Sequence, residues 1–380
     1  KGSPYFTEQH EKFRQTVRQF VNDEMPGEKV RHWDQNRIFP HELFQKFASR
    51  GWYGITVPEE WGGGGADIFH AVVLAEELAR CSYGIAEIVS MIQCGIHSLI
   101  KFGTSEQKNK YVEAALKGEK CVFMATADAH SDSDDTVNLA VTEKGNGFVL
   151  GGSKVFATTA HLRDCMILVA AKTNNDGKKQ EGITVFLTDS TLPGVTRRRS
   201  DTLWSGITGI DEILFENVEA SANDIIGEFN RGWNVIASHL ELERILLSAA
   251  AVSLMQTIVA ECIQYAVTRE QFGKPIGKFQ AVGHMIADMQ TLTDAGRQMA
   301  YLAAWMYGNG RKCSREIAAT KLFVTESLAK VARTGMQIFG GYGQVRDYDM
   351  ERYFRESALS SVGGGHSQTM RNIIAQNIGM

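Results

Sequence analysis

Arg269-Glu270-Gln271-Phe272-Gly273-Lys274-Pro275-Ile276-Gly277-Lys278-Phe279-Gln280 closes a long stretch of helical periodicity and sets a permanent cation beside an aromatic ring. That combination suits a bound dinucleotide. Arg269 offers a planar fork for a pyrophosphate, Phe272 a ring face for an adenine, and Gly273 with Pro275 the turn that holds both. A merely solvated charged face does not need all four. Upstream, Ile245, Ala249, Val252, Met255, Val259, Cys262 and Ala266 recur along one helical face; downstream, helical patterns run from Ile286 to Met306 and from Ser314 to Phe339. Long helices joined by short loops predict a bundle over residues 229–380.

The rest of the chain divides in two. Over residues 1–120 the apolar positions keep a helical period, as in Phe13, Val17, Phe20 and Val21, and in an amphipathic stretch from Val72 to Leu78. Over residues 121–228 they change to short β-rich runs, Phe148–Leu150, Met166–Val169, Ile183–Leu187 and Ile213–Phe215, with Asn174-Asn175-Asp176-Gly177 as a loop. At 380 residues with 43% hydrophobic content, two or three domains are expected. No Gly-x-Gly-x-x-Gly opens a βαβ unit, and the run Gly62–Gly65 reads as a turn before a helix at Ile68.

Charge excludes some partners. The 40 basic against 44 acidic side chains leave a net −4, and the short run Arg197-Arg198-Arg199 reads as a solvated strand end, so nucleic-acid binding is not expected. The 6 cysteines lack C-x-x-C spacing, which predicts buried, reduced thiols and no zinc site. Asp128, His130, Asp132 and Asp134 alternate as cation ligands do. Ser133 and Leu139 stand where an EF-hand needs Gly and Glu, so a solvated acidic loop is predicted and no metal site. No apolar run looks long enough to span a membrane, and no signal peptide is recognisable; the expected location is cytoplasmic, or the mitochondrial matrix if a transit peptide was removed.

The Arg269–Gln280 run resembles the signature of the acyl-CoA dehydrogenase family. Further matches are Gln337-Ile338-Phe339-Gly340-Gly341-Tyr342-Gly343, Glu351–Glu356, Val57–Gly63, Phe102–Gln107 and Gly151–Lys154, so the likeness spans nearly the whole chain. It implies an α+β fold with a helical N-terminal domain, a middle β-barrel and a C-terminal four-helix bundle. It also implies FAD, an acyl-CoA substrate, an electron-transfer flavoprotein as partner, and a homotetramer. Carried over residue by residue, the flavin contacts are Thr126, Phe156 and Thr158 near the ring, and Arg269, Phe272, Gln337 and Gly341 toward the phosphates and adenine, the last four across a subunit interface. Core packing is the alternative for Phe156 and Phe272.

In this family a carboxylate removes the α-proton while hydride leaves the β-carbon for the flavin. Its commonest position, in a Tyr-Glu-Gly-Thr segment, reads Gly363-Gly364-Gly365-His366 here, without the glutamate. A minority of members, including isovaleryl-CoA and long-chain acyl-CoA dehydrogenases, carry the base on a helix directly ahead of an arginine. Here that place reads Leu240-Glu241-Leu242-Glu243-Arg244. The resemblance thus makes Glu243 the base, Gly364 a backbone N–H donor to the thioester oxygen, and Arg244 a contact to CoA; the alternative is a surface ion pair. His366 replaces a flavin-bonding threonine, as a cofactor contact or a space filler. The usual small-residue loop has become Thr126–Asp135 without proline or glycine, and the arginine expected near Trp204–Thr208 is missing. A catalytically impaired partner subunit, or altered chemistry on CoA thioesters, therefore stands beside the dehydrogenase.

Overall fold

Thr7 accepts the His10 amide while His10 returns a bond to the Thr7 N–H, a reciprocal cap that starts α1 (Glu8–Glu24). The computed structural model describes residues 3–128, 137–158, 164–174, 180–204 and 206–380. Five more helices follow α1: α2 (Gly27–Gln35), α3 (His41–Ser49), α4 (Ile68–Ala79), α5 (Tyr83–Phe102) and α6 (Ser105–Leu116). The glycine run is the expected turn: Gly62 sits at φ 82°, and Asp67 then caps α4 by accepting from the Phe69 and His70 amides. The amphipathic reading of α4 is corrected, because Glu76 and Glu77 are buried with the apolar positions. They stay inside because Arg14 reaches Glu76 at 2.7 Å, Arg18 reaches Glu77 at 2.8 Å, and the Tyr301 hydroxyl donates to Glu76 at 2.6 Å.

A sheet of eight strands comes next: β1 (Cys121–Ala125), β2 (Ala140–Lys144), β3 (Gly147–Ala157), β4 (Cys165–Lys172), β5 (Ile183–Asp189), β6 (Val195–Ser200), β7 (Ile210–Ser221) and β8 (Ile225–Ile226). The ladder runs β6-β7-β3-β2-β4-β5-β8 with β1 parallel beside β4; among the described residues no pairing joins β6 to β8. β4 and β5 are buried almost throughout, which is why their apolar runs are continuous. β6 alternates and leaves Arg198 and Arg199 toward solvent, as expected of a solvated strand. β3 slips register between Lys154 and Ala157, and Phe156 there takes φ 58°. Such an irregularity re-aims one side chain out of the pleat.

The last third holds α7 (Trp233–Thr268), a two-residue hairpin of β9 (Glu270–Gln271) and β10 (Lys274–Pro275), α8 (Gln280–Gly308), α9 (Ser314–Phe339), α10 (Met350–Ala358) and α11 (Ser367–Asn377). The single apolar face expected on α7 is too narrow: Leu246, Leu247, Ala250, Ala251, Leu254 and Ile258 are buried too, because α4, α5, α8 and α9 surround it. α8 packs on α7 and α9, and α10 and α11 both lie on α9.

The membrane expectation also needs correction. Tyr83–Phe102 and Trp233–Thr268 are long and apolar enough to cross a bilayer by length and composition, but 72% and 78% of those windows lie inside the protein. Their apolar length serves the core. None of the 6 cysteines forms a disulfide, and Cys81 and Cys121 are only half-buried. Asn175–Gly177, Ser205 and the loop positions from Ala129 to Asp135 lie outside the described residues.

Candidate active site

Nearly three turns into α7 the chain turns Glu243 inward, and the carboxyl ends opposite a stretch that has no side chains. A Cβ built on Gly364 would lie 3.2 Å from Glu243 Oε1 and 3.6 Å from Arg244 Cγ, and Gly364 itself sits at φ 68°. Glycine is needed there for conformation and for space. Arg244 Nε donates to the Gly364 carbonyl at 2.8 Å. Lys321, buried on α9, donates to the Ser361 carbonyl at 3.1 Å and to that of Gly365. Two cations thus hold the carbonyl side of the turn.

The amide side is differently arranged. The Gly363 N–H donates to Leu359 and the Gly365 N–H to Val362, whereas the Gly364 N–H meets no acceptor among the described residues. An amide held in place without a partner is an oxyanion donor in waiting.

Glu243 and Arg244 are only 7% and 8% exposed, so the surface-pair alternative is excluded. Burial pushes the Glu243 carboxyl up to about 7, against the opposing pull of Arg244 and Lys321. A carboxyl poised there can hold or release a proton near neutrality. His239 Nε2 stands 3.6 Å from Glu243, beyond hydrogen-bond range; burial beside His97 lowers its own value to about 3. His239 is therefore a neutral wall, not a counter-ion.

A second acid reaches the same place. Glu87, on α5, accepts the Trp204 indole N–H at 3.1 Å, and Trp204 stands edge-on to Tyr83 with centroids 5.9 Å apart. Glu87 was not foreseen, although it is the one acid in the apolar run of α5.

The flavin-contact residues fall into two groups. Phe156 at the β3 irregularity is 70% exposed, and Phe272 at the β9–β10 turn, with φ 52°, is 93% exposed. Core packing therefore fails for both, and bulky side chains held at positive φ carry a local strain on the order of 1–2 kcal/mol. Beside Phe156, Lys154 Nζ donates to the Thr126 carbonyl at 2.9 Å and pairs with Asp128 at 2.8 Å. Burial lowers Lys154 to about 8, and Asp128 offsets this. Asp128 is thus a buried partner rather than part of a solvated loop; His130, Asp132 and Asp134 lie outside the described residues. Thr158 follows the end of β3, half-buried.

The second group lies at the far end of the bundle. The Arg269 guanidinium stacks 5.3 Å from the Tyr342 ring centroid, and Gln337 and Gly341 are exposed nearby in sequence. His366 caps α11, its Nδ1 accepting the Thr369 amide at 3.2 Å. An exposed ring edge at Phe156, a second at Phe272 and the Arg269 fork are the apolar and cationic features a dinucleotide needs, so the residues present fit FAD.

One set of potential metal ligands, His10, Asp67 and His70, comes together among the described residues. His10 Nδ1 accepts the Thr7 amide at 2.9 Å, leaving Nε2–H to donate to Asp67 at 2.9 Å. The cluster is thereby satisfied as a pair of helix caps.

Family profiles account for nearly all of the chain. Those described as the acyl-CoA dehydrogenase N-terminal, middle and C-terminal domains match residues 7–119, 121–218 and 230–379. The 3-(aryl)acrylate reductase of Clostridium sporogenes is 34% identical over 98% of this chain and 99% of its own. The caffeyl-CoA reductase–Etf complex subunit CarC of Acetobacterium woodii is 30% identical over 98% of both chains. The solved structure of PigA with FAD and proline superposes with a TM-score of 0.94 at 25% identity, over 100% of this chain and 99% of that one. Matched from end to end in sequence and in fold, the chain belongs to the acyl-CoA dehydrogenase family of FAD-dependent oxidoreductases.

Proposed function

We propose that this protein interconverts an acyl-CoA and its 2-enoyl-CoA, with Glu243 as the base. The observation that carries the reading is the buried Glu243 carboxyl facing Gly364, whose N–H has no acceptor among the described residues. Ionised Glu243 takes the α-proton, and the Gly364 amide donates to the thioester oxygen as enolate charge develops. Arg244 and Lys321 keep that amide aimed by holding the carbonyls of Gly364 and Gly365. FAD would be held by Thr126, Phe156, Thr158, Arg269, Phe272, Gln337 and Gly341, and would supply the hydride acceptor for the β-carbon. Neutral His239 and the buried walls of α5 and α7 exclude water from the proton transfer.

Phe272, almost wholly exposed in one chain, supports a cofactor site completed by a neighbouring copy, as in a homotetramer. An electron-transfer flavoprotein is the partner that would take the electrons onward. The name of the 34% identical relative, an acrylate reductase, favours a second reading in which the same site runs backward. Protonated Glu243 then returns its proton to the α-carbon.

The test is an anaerobic visible spectrum of the flavin-loaded protein during addition of straight, branched and aryl acyl-CoAs. Bleaching supports the dehydrogenase direction; reoxidation of chemically reduced flavin by 2-enoyl-CoAs, without bleaching by acyl-CoAs, supports the reductase. Flavin inert to every thioester in both directions overturns the proposal. A protein that cannot be loaded with FAD points to the impaired partner subunit.

A further inference from the structure

The reaction uses Glu243, yet a second buried carboxyl looks onto the same strip of backbone. A Cβ on Gly363 would lie 3.8 Å from Glu87 Oε1, just as one on the adjacent Gly364 would lie 3.2 Å from Glu243 Oε1. Two acids from different helices therefore face two consecutive glycines. One short acyl group lying along that strip reaches both.

Glu87 is 7% exposed and half satisfied: Trp204 Nε1–H bonds Oε2, while Oε1 has no partner among the described residues. A carboxyl this deeply buried with one hydrogen bond and no paired cation among the described residues is costly to keep in the fold. No packing need explains an acid there, since Leu or Met would fill the space beside Tyr83 and Trp204 without that cost.

We propose that Glu87 is a specificity residue that hydrogen-bonds a neutral hydroxyl on the acyl group, so that the substrate of the reaction proposed above is a hydroxylated acyl-CoA. This rests on the dehydrogenase-family reading of the site.

Three considerations select a hydroxyl. The charged groups acting on Glu87 are Glu243 and Glu356, both acids, and burial with those acids pushes Glu87 up to about 8 against the Trp204 bond. The carboxyl is therefore protonated at neutral pH. With the indole N–H on Oε2 as the carbonyl oxygen, Oε1–H is a donor pointed at the acyl strip.

Among the described residues an acyl carboxylate would meet acids and no available cation at that end, because Arg244 and Lys321 bond the carbonyls of Gly364, Ser361 and Gly365. A plain alkyl end leaves Oε1–H unmet. A hydroxyl oxygen accepts from it. Sites built to bond a substrate hydroxyl reject the analogue lacking it far more strongly than apolar pockets reject a methylene.

The experiment compares heavy-atom-matched thioesters on the flavin-loaded protein: 5-hydroxypentanoyl-CoA against hexanoyl-CoA, and 3-(4-hydroxyphenyl)propanoyl-CoA against 3-(4-methylphenyl)propanoyl-CoA. Glutaryl-CoA and 5-aminopentanoyl-CoA test the charged alternatives. The wild-type protein is expected to favour the hydroxylated member of at least one pair at least tenfold in kcat/KM. Glu87→Leu should reduce that ratio at least tenfold, Trp204→Phe should reduce it less, and Glu87→Gln should keep most of it.

Equal kcat/KM within both pairs overturns the inference, as does preference for the carboxylate or the ammonium, or an unchanged ratio in Glu87→Leu. If Glu87→Leu does not fold, the Trp204→Phe and Glu87→Gln ratios decide. Should no thioester react, the functional proposal fails on its own; dissociation constants of the same pairs, read from the flavin spectrum, then test Glu87 without turnover.

Discussion

Replacing Glu243 by Gln is expected to abolish substrate-driven flavin reduction and, at alkaline pH, to stabilise the fold. Burial raises the Glu243 carboxyl from 4.5 to about 7. A carboxyl raised in the folded state contributes stability below its unfolded value and loses it as pH climbs through the folded one. The wild-type protein therefore carries a cost of about 3 kcal/mol at pH 8, against about 1 kcal/mol at pH 5, at 1.36 kcal/mol per pH unit. Gln keeps the shape and never ionises. For a chain of 380 residues that difference corresponds to about 4 °C in melting temperature.

The assay is thermal unfolding of the flavin-loaded wild-type and Glu243→Gln proteins at pH 5 and pH 8, with anaerobic reduction measured alongside. The expected pattern is a small melting difference at pH 5, a several-fold larger gain for the variant at pH 8, and reduction slower by roughly 10²–10⁴. Flavin reduction at the wild-type rate, or a melting difference of the same size at both pH values, would refute the reasoning.

The same titration sets the pH profile: kcat/KM in the oxidative direction should rise from pH 6 to pH 8 with an inflection near 7, because the base must be ionised. Gly364→Ala places a methyl group 3.2 Å from the Glu243 carboxyl at φ 68°, so reduction should slow roughly tenfold while FAD stays bound; a rate within twofold of wild type contradicts the arrangement. Lys154→Met leaves Asp128 buried without its cation and should destabilise the protein by about 3–5 kcal/mol, read by chemical denaturation. Phe272→Ala should weaken FAD binding roughly tenfold, read by fluorescence of released flavin, with no loss of the chain's own stability because the ring is 93% exposed.

Helices and strands were readable where one physical demand acts on the residues. α8 and α9 follow their periodic apolar positions, and β4 and β5 follow continuous apolar runs because both faces are covered. The reading failed where tertiary neighbours decide. α4 carries two acids inside because Arg14, Arg18 and Tyr301 come from elsewhere in the chain to meet them. α5 and α7 have the length and composition of membrane spans because other helices, and not lipid, cover them. Asp128 looked solvated because its partner Lys154 lies a strand away, beyond any periodic signal.

At the site, what could be read was a substitution pattern: a glutamate ahead of an arginine on one helix, and three glycines where an acid is usual. The structure gives that pattern its physical content, since the room left at Gly364 is the room Glu243 occupies. The same logic extends one residue further, to a place the pattern did not reach. Gly363 leaves room opposite Glu87, an acid that had a signal of its own: it is the one carboxylate in the twenty residues of α5. A lone buried acid is costly to fold around, and among the described residues no cation offsets it. If Glu87→Leu both stabilises the protein at pH 9 and erases the preference for hydroxylated thioesters, the acid is kept for its ligand. If it stabilises the protein and leaves the preference intact, the two glycines serve Glu243 alone.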